Sequence, residues 1–215
     1  MSSTIKVNNI QNLAGDDSGI DLSTNDQIIL KTANTTAITV DGSQNVTLAG
    51  NLTVTGTASG VGGISIADQW RKTGDTTGTL DPITDLARVN TTGQGTIGTA
   101  MSVSSGIFTF PTTGIYLVKG IFNFSNGVDT RYIFGQISLT TNNSSYAVVA
   151  DGGTSIKHMV NNTYATCSTE TLVDVTDTSN VKVKFLSAPV TESVTTRGAT
   201  TVNYTHFTFI RLGDT

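Results

Sequence analysis

GIFTFPTTGIYLVKGIFNF, residues 106–124, decides the fold. Phe108 and Phe110 alternate with polar neighbours, Pro111-Thr112-Thr113-Gly114 supplies turn chemistry, and an apolar run resumes at Ile115, so the segment reads strand, turn, strand. The second strand is apolar on both faces. Tyr116, Val118, Phe122 and Phe124 share one side, and Ile115, Leu117 and Ile121 share the other, because successive side chains of a strand point in opposite directions. A half-exposed strand needs one apolar face only; a strand with two must be covered twice. In a chain otherwise rich in Thr, Asn and Ser, the second cover is expected to be another subunit.

Working outward, the composition supports an all-β molecule. Hydrophobic residues make up 37% of the 215 positions and charged residues only 13%, against a usual charged share of about 25%. Thr fills much of that gap, and a β-branched side chain favours a pleated, half-exposed surface. With 22 Gly and only 3 Pro, the turns fall to Gly, Asn and Asp. The net charge of −4 without basic blocks argues against a nucleic-acid partner. The single cysteine, Cys167, precludes an intrachain disulfide and reads as a small buried hydrophobe. No charged n-region followed by an apolar h-region opens the chain, and no stretch approaches about 18 consecutive apolar residues, so neither a secretory signal nor membrane insertion is expected. The sequons at Asn34, Asn45, Asn51 and Asn203 reflect Asn and Thr abundance.

Three textures follow one another. Residues 1–30 are polar with scattered apolar positions, too few for a core, and are expected to be an extended anchoring segment that orders on a partner or in a trimer. Residues 31–63 carry a weak repeat, AITV (37–40), NVTL (45–48) and NLTV (51–54), each with two apolar residues two apart, followed by the Gly-rich linker GTASGVGG (56–63). One chain cannot bury such strands; three chains about one axis close the core, which makes a β-rich trimeric stalk the preferred reading and a Thr/Asn linker the alternative. Residues 64–215 hold a series of short strand candidates without 3.6-residue periodicity, as in a sandwich or jelly roll.

Residues 106–124 resemble the signature of C1q/TNF-like jelly-roll domains, in which Phe, a short turn, Gly and an aromatic open a long inner strand; Phe108, Pro111, Gly114, Tyr116 and Phe122 match. Two further segments are similar in the family's order: ETLVDVTDTSNVKVKF (170–185), with Ser179-Asn180 where the family has a Gly-Asp turn, and the closing YTHFTFIRLG (204–213). The resemblance spans about residues 67–215 and implies a ten-strand jelly roll that trimerises through its inner sheet, with Ile115, Leu117, Ile121, Phe207 and Phe209 as candidate interface residues. No Gly-X-Y period precedes it, unlike the complement relatives. NVTLAGNLTVTGTASG (45–60) resembles the stalks of bacteriophage tail fibres and other virion fibres.

Candidate chemistry is sparse. GQGTIG (93–98) fits G-x-G-x-x-G, but strand-like TAMSVSSG follows it in place of a helix, so it reads as a turn. Asp16, Asp17, Asp21 and Asp26 lack EF-hand spacing and read as loop acids, and Asp151 before Gly152-Gly153 reads as a turn. His158 and His206 form no metal-type pair, Cys167 has no second thiol nearby, and no G-x-S-x-G elbow occurs. No catalytic residue, cofactor or metal is therefore expected. Recognition is expected in loops 125–132, 141–146, 151–158, 161–164 and 189–201, where Arg131, Tyr132, Tyr146, His158, Tyr164 and Arg197 are the candidate contacts. Trp70 is expected to be a core or interface anchor.

These features together suggest a non-enzymatic, homotrimeric bacteriophage tail fibre, assembled in the host cytoplasm and located on the virion. The N-terminal segment would join other tail or capsid proteins, and the head would bind a bacterial surface glycan or protein. The alternatives are a capsid decoration or tail-assembly component whose jelly roll only trimerises, and a glycan-degrading spike whose two carboxylates meet in space.

Overall fold

The structure, a computed structural model, describes residues 9–11, 19–21, 28–33, 35–52, 63–91 and 93–215. Two compact units make up the chain, Met1–Val61 and Gly62–Thr215. Among the described residues every regular element is a strand, and no helix is long and apolar enough to cross a membrane.

In the first unit, β1 (Asn9–Gln11), β2 (Gly19–Asp21), β3 (Ile28–Thr32), β4 (Thr35–Val40) and β5 (Val46–Leu48) form one antiparallel sheet in chain order. The division expected at residue 30 falls inside β3, which pairs with β2 on one edge and β4 on the other. The β4–β5 turn is built by Asp41, whose Oδ1 accepts the backbone N–H groups of Ser43 and Asn45, each at 2.9 Å. Ile38 then faces Leu48, and Val40 faces Val46, in register. Yet Val46 remains 61% exposed, so in a single chain this small sheet leaves apolar side chains uncovered. The third expected strand does not form at Asn51 and Leu52. Thr53, Val54, most of the Gly-rich linker, and Asp16, Asp17 and Asp26 lie outside the described residues.

The second unit contains β6 (Ala67–Lys72), β7 (Thr76–Thr77), β8 (Leu86–Arg88), β9 (Ser102–Ser104), β10 (Ile107–Thr109), β11 (Gly114–Asn126), β12 (Thr130–Thr140), β13 (Ala147–Ile156), β14 (Thr163–Val175), β15 (Lys182–Pro189), β16 (Thr195–Thr196) and β17 (His206–Gly213). One layer runs β13-β12-β15-β10-β9; the other runs β8-β6-β17-β11-β14, with the two-residue β16 and β7 continuing beside β11. Without those two short strands the unit is a ten-strand jelly roll in two layers of five. Strand β11 is the hub: β14 pairs along its whole length, and β17 and β16 share its other edge.

The alternation read in β11 is realised. Tyr116, Val118, Phe122 and Phe124 are fully buried between the layers, whereas Ile115, Leu117 and Ile121 lie half-buried on the outer face of the sheet. The core is aromatic: Phe185 stacks on Phe207 with centroids 3.7 Å apart, and Phe108 contacts Trp70, Phe185, Phe207 and Phe209. Trp70 is anchored there, its Nε1 donating to Asp68 at 2.9 Å. Cys167 is buried, and that burial pushes its thiol pKa up, as an inert core cysteine requires.

Two expectations are corrected. Phe207 and Phe209 are completely buried between the layers and cannot line a subunit interface; in β17 the outward set is His206, Thr208 and Ile210, because the core face takes the aromatics. Asp151-Gly152-Gly153 is not a turn but the middle of β13. There the glycines answer close approach: a methyl group on Gly152 would strike the Ser168 carbonyl of β14, and one on Gly153 would crowd the Phe134 ring.

Candidate functional site

The strand registers set the geography of the second unit. Asn126 pairs with Thr163, Thr130 with Ile156, and Ile133 with Pro189, so the β11–β12, β13–β14 and β15–β17 connections share one end. The Asn142–Tyr146 loop lies at the other end, where the Asn143 N–H donates to the Asn180 carbonyl. The chain also enters the unit at that other end: the Arg211 N–H donates to the Ile66 carbonyl, near the finish of β17. These three connections therefore sit opposite the point of entry, whereas the β8–β9 connection, residues 89–101, lies beside it through the Ile97–Ala67 bridge.

Of the candidate contacts, Arg131, Tyr132, His158, Tyr164 and Arg197 come to the shared loop end, and Tyr146 does not. Arg131 and Tyr132 follow Thr130 at the start of β12 rather than lying in a loop. The Arg131 guanidinium lies 5.1 Å from the Tyr132 ring centroid and donates to its hydroxyl at 3.0 Å. Beside them Asp129 accepts from Lys157 Nζ and from the His158 N–H, both at 2.7 Å. The hydrogen bonds from Lys157 and then from the His158 backbone hold the Asp129 carboxyl below its ordinary range. Asp129, Arg131, Ser155 and Lys157 border an open groove of about 460 Å³. The His158 side chain is exposed and joins no group of metal-binding type among the described residues. Val128, Met159, Val160 and Val190 stand exposed around this end.

A second cluster gathers on the outer face of the β11–β14 sheet. Arg197, just after β16, donates its backbone N–H to the Asn123 carbonyl at 2.8 Å and Nη1 to Asn123 Oδ1 at 3.0 Å. Its guanidinium carbon lies 4.4 Å from the Tyr164 ring centroid and 4.0 Å from that of Tyr204. Asn123 Nδ2 in turn donates to Thr166 Oγ1 at 2.8 Å. Tyr204, Asn123 and Thr166 were missed in the sequence because they come from three separated segments. The Asn123–Thr166 register of β11 and β14 is what assembles them.

Tyr146 instead rests against Lys184, whose Nζ lies 4.9 Å from its ring centroid, and burial raises its phenol pKa. The outer sheet face also carries an apolar row. Ala67, Ile210, Leu117 and Leu172 are successive cross-strand partners through β6, β17, β11 and β14, and Leu172 is 63% exposed. GQGTIG is a loop bridged to β6 through Ile97 and Ala67. Asp68, the buried acid, is held by Trp70, by the Met101 N–H at 2.9 Å and by Arg88 at 3.3 Å, a structural set of partners. Among the described residues no three His, Cys, Asp or Glu side chains meet as a metal site.

No protein-family model matches the chain, and no curated protein matches its sequence. The fold does match solved structures. Murine APRIL at pH 8.5 aligns over 68% of this chain and 98% of its own length at 12% identity with a TM-score of 0.47. The Eiger TNF of S. frugiperda aligns over 71% of this chain and 95% of its own length at 12% identity with a TM-score of 0.54. The likeness to Eiger, together with the two five-stranded layers, identifies the fold of the second unit as a TNF-like jelly roll.

Proposed function

We propose that the chain is a non-enzymatic structural protein of a bacteriophage virion, a homotrimeric fibre whose jelly-roll head attaches to the host surface. The observation that carries the attachment reading is the convergence of the β11–β12, β13–β14 and β15–β17 connections, with Arg131, Tyr132, His158, Tyr164 and Arg197, at the end opposite the one at which the chain enters the head. A head carried on a stalk needs its contact loops at that far end. The apolar row Ala67, Ile210, Leu117 and Leu172 supports the trimer, since a contiguous, partly exposed apolar strip on a polar molecule marks an interaction face. The uncovered Val46 and Leu48 support a stalk closed by further copies. Three copies of a weak site on one particle act at high effective concentration, so modest single-site affinity suffices. Through the first unit the fibre joins other virion proteins.

Gold-labelled antibody against the second unit, applied to intact virions, tests this reading. Label at the tips of tail fibres, with adsorption blocked by the purified chain, is the expected result. Label on the capsid shell with unaltered adsorption would assign the jelly roll to decoration and assembly, and particles without label would refute the virion role.

A further inference from the structure

We propose that Arg197, Tyr164, Tyr204 and Asn123 form a binding site for an acidic saccharide. The guanidinium is already fixed. Two rings flank it at 4.4 and 4.0 Å, and Asn123 takes one of its donors and its backbone N–H. Missing is an anion: none of the ion pairs among the described residues includes Arg197, and its other N–H groups have no protein acceptor there. The carboxylate at this segment, Asp75, accepts the Gly198 N–H at 2.9 Å and forms no ion pair with Arg197. On the same face Arg71, the cross-strand partner of His206, is buried and has no carboxylate partner among the described residues, with Nη1 unpartnered there, while Glu170 is engaged by Lys119 at 3.3 Å. The result is a fixed cationic group without an ion-pair partner among the described residues, on a chain whose net charge is −4.

The ligand class follows from the groups present. A planar guanidinium held in one orientation suits a two-point contact with a carboxylate and has little rotamer freedom left to lose on binding. Tyr164 is 58% exposed, so its ring offers an apolar face to a sugar ring. The Asn123 amide and Thr166 hydroxyl, linked at 2.8 Å, are suited to sugar hydroxyls. A neutral sugar would leave the guanidinium unpaired, and an isolated cationic spot does not track a nucleic-acid backbone. The site deepens the host-attachment reading and rests on it for the source of the ligand.

Calorimetry on the full chain with tetragalacturonate, its neutral methyl ester and inorganic phosphate tests the site. We expect tetragalacturonate to bind at least tenfold more tightly than either the ester or phosphate. Arg197→Gln should reduce binding to the ester's level, and Arg197→Lys should recover only part of it. Asn123→Asp separates loss of ligand from loss of fold: it keeps the Arg197 clip as an internal ion pair, so melting is unchanged while tetragalacturonate affinity falls at least tenfold. Equal affinity for acid and ester, affinity no better than for phosphate, or full binding by a folded Arg197→Gln protein would overturn the proposal. Cell attachment by the native chain that tetragalacturonate fails to inhibit would refute this site and leave the attachment reading standing. Tetragalacturonate binding without cell attachment would do the reverse.

Discussion

At Gly135 the jelly roll tolerates no side chain. The residue lies in β12 directly over the Phe122 ring, where a methyl group would collide with the ring atoms, and Phe122 is completely buried with nowhere to retreat. Gly135→Ala should destabilise the second unit by about 1–3 kcal/mol, the range of overpacked cores, seen as a lowered urea midpoint. His206 carries a pH dependence. Burial chiefly, with a smaller push from Lys119, holds its imidazole below the ordinary 6.5, against the opposing pull of the Tyr204 and Asn203 carbonyls. The unfolded chain then takes up a proton at a higher pH than the folded one. The stability tied to neutral His206 is therefore complete above pH 6.5 and drains away as the pH falls below it. A urea midpoint that drops between pH 7.5 and 5.0, and drops less in His206→Gln, is the expected outcome. Neither effect was legible in the sequence: which glycine meets a ring, and which histidine is shielded, depends on partners in other strands. Trp70 and Cys167 were legible because a bulky or weakly polar side chain within an apolar strand pattern has few alternatives to burial.

Among the elements, β11 carried the most sequence information because its two apolar faces constrain both layers at once. Its partners were harder to read. Phe207 and Phe209 alternate as cleanly as Ile115 and Leu117, and only the register of β17 against β11 shows that the phenylalanines face the core. The same logic explains the Asp151-Gly152-Gly153 error: turn chemistry and close approach to a neighbouring strand both select glycine, so one sequence has two structural solutions. Leu117→Glu follows from the outer face. The substitution places a charge in the middle of the row formed with Ile210 and Leu172 while leaving every core residue untouched. It should leave the circular dichroism spectrum unchanged and give a monomer in sedimentation velocity where the proposed trimer is expected of the native chain. A variant that stays trimeric would remove this face from the interface.

On the scale of the whole molecule, the sequence reads as three segments, whereas the chain divides into two units at the Gly-rich stretch. The convergence of the candidate contacts was not legible. Loop composition alone gave six residues, and topology sorted them, bringing Tyr164 to Arg197 with Tyr204 and Asn123 and sending Tyr146 to the opposite end beside Lys184. The two units share one physical situation, apolar strand faces that a single chain leaves partly bare, at Val46 and Leu48 in the first and at Leu117, Leu172 and Ile210 in the second. Assembly of identical chains answers both at once. Native mass spectrometry of the full-length chain tests that claim most directly. A single species at three times the 22.4 kDa chain mass, persisting on dilution, is the expected result. A stable 22.4 kDa monomer with native melting would contradict it.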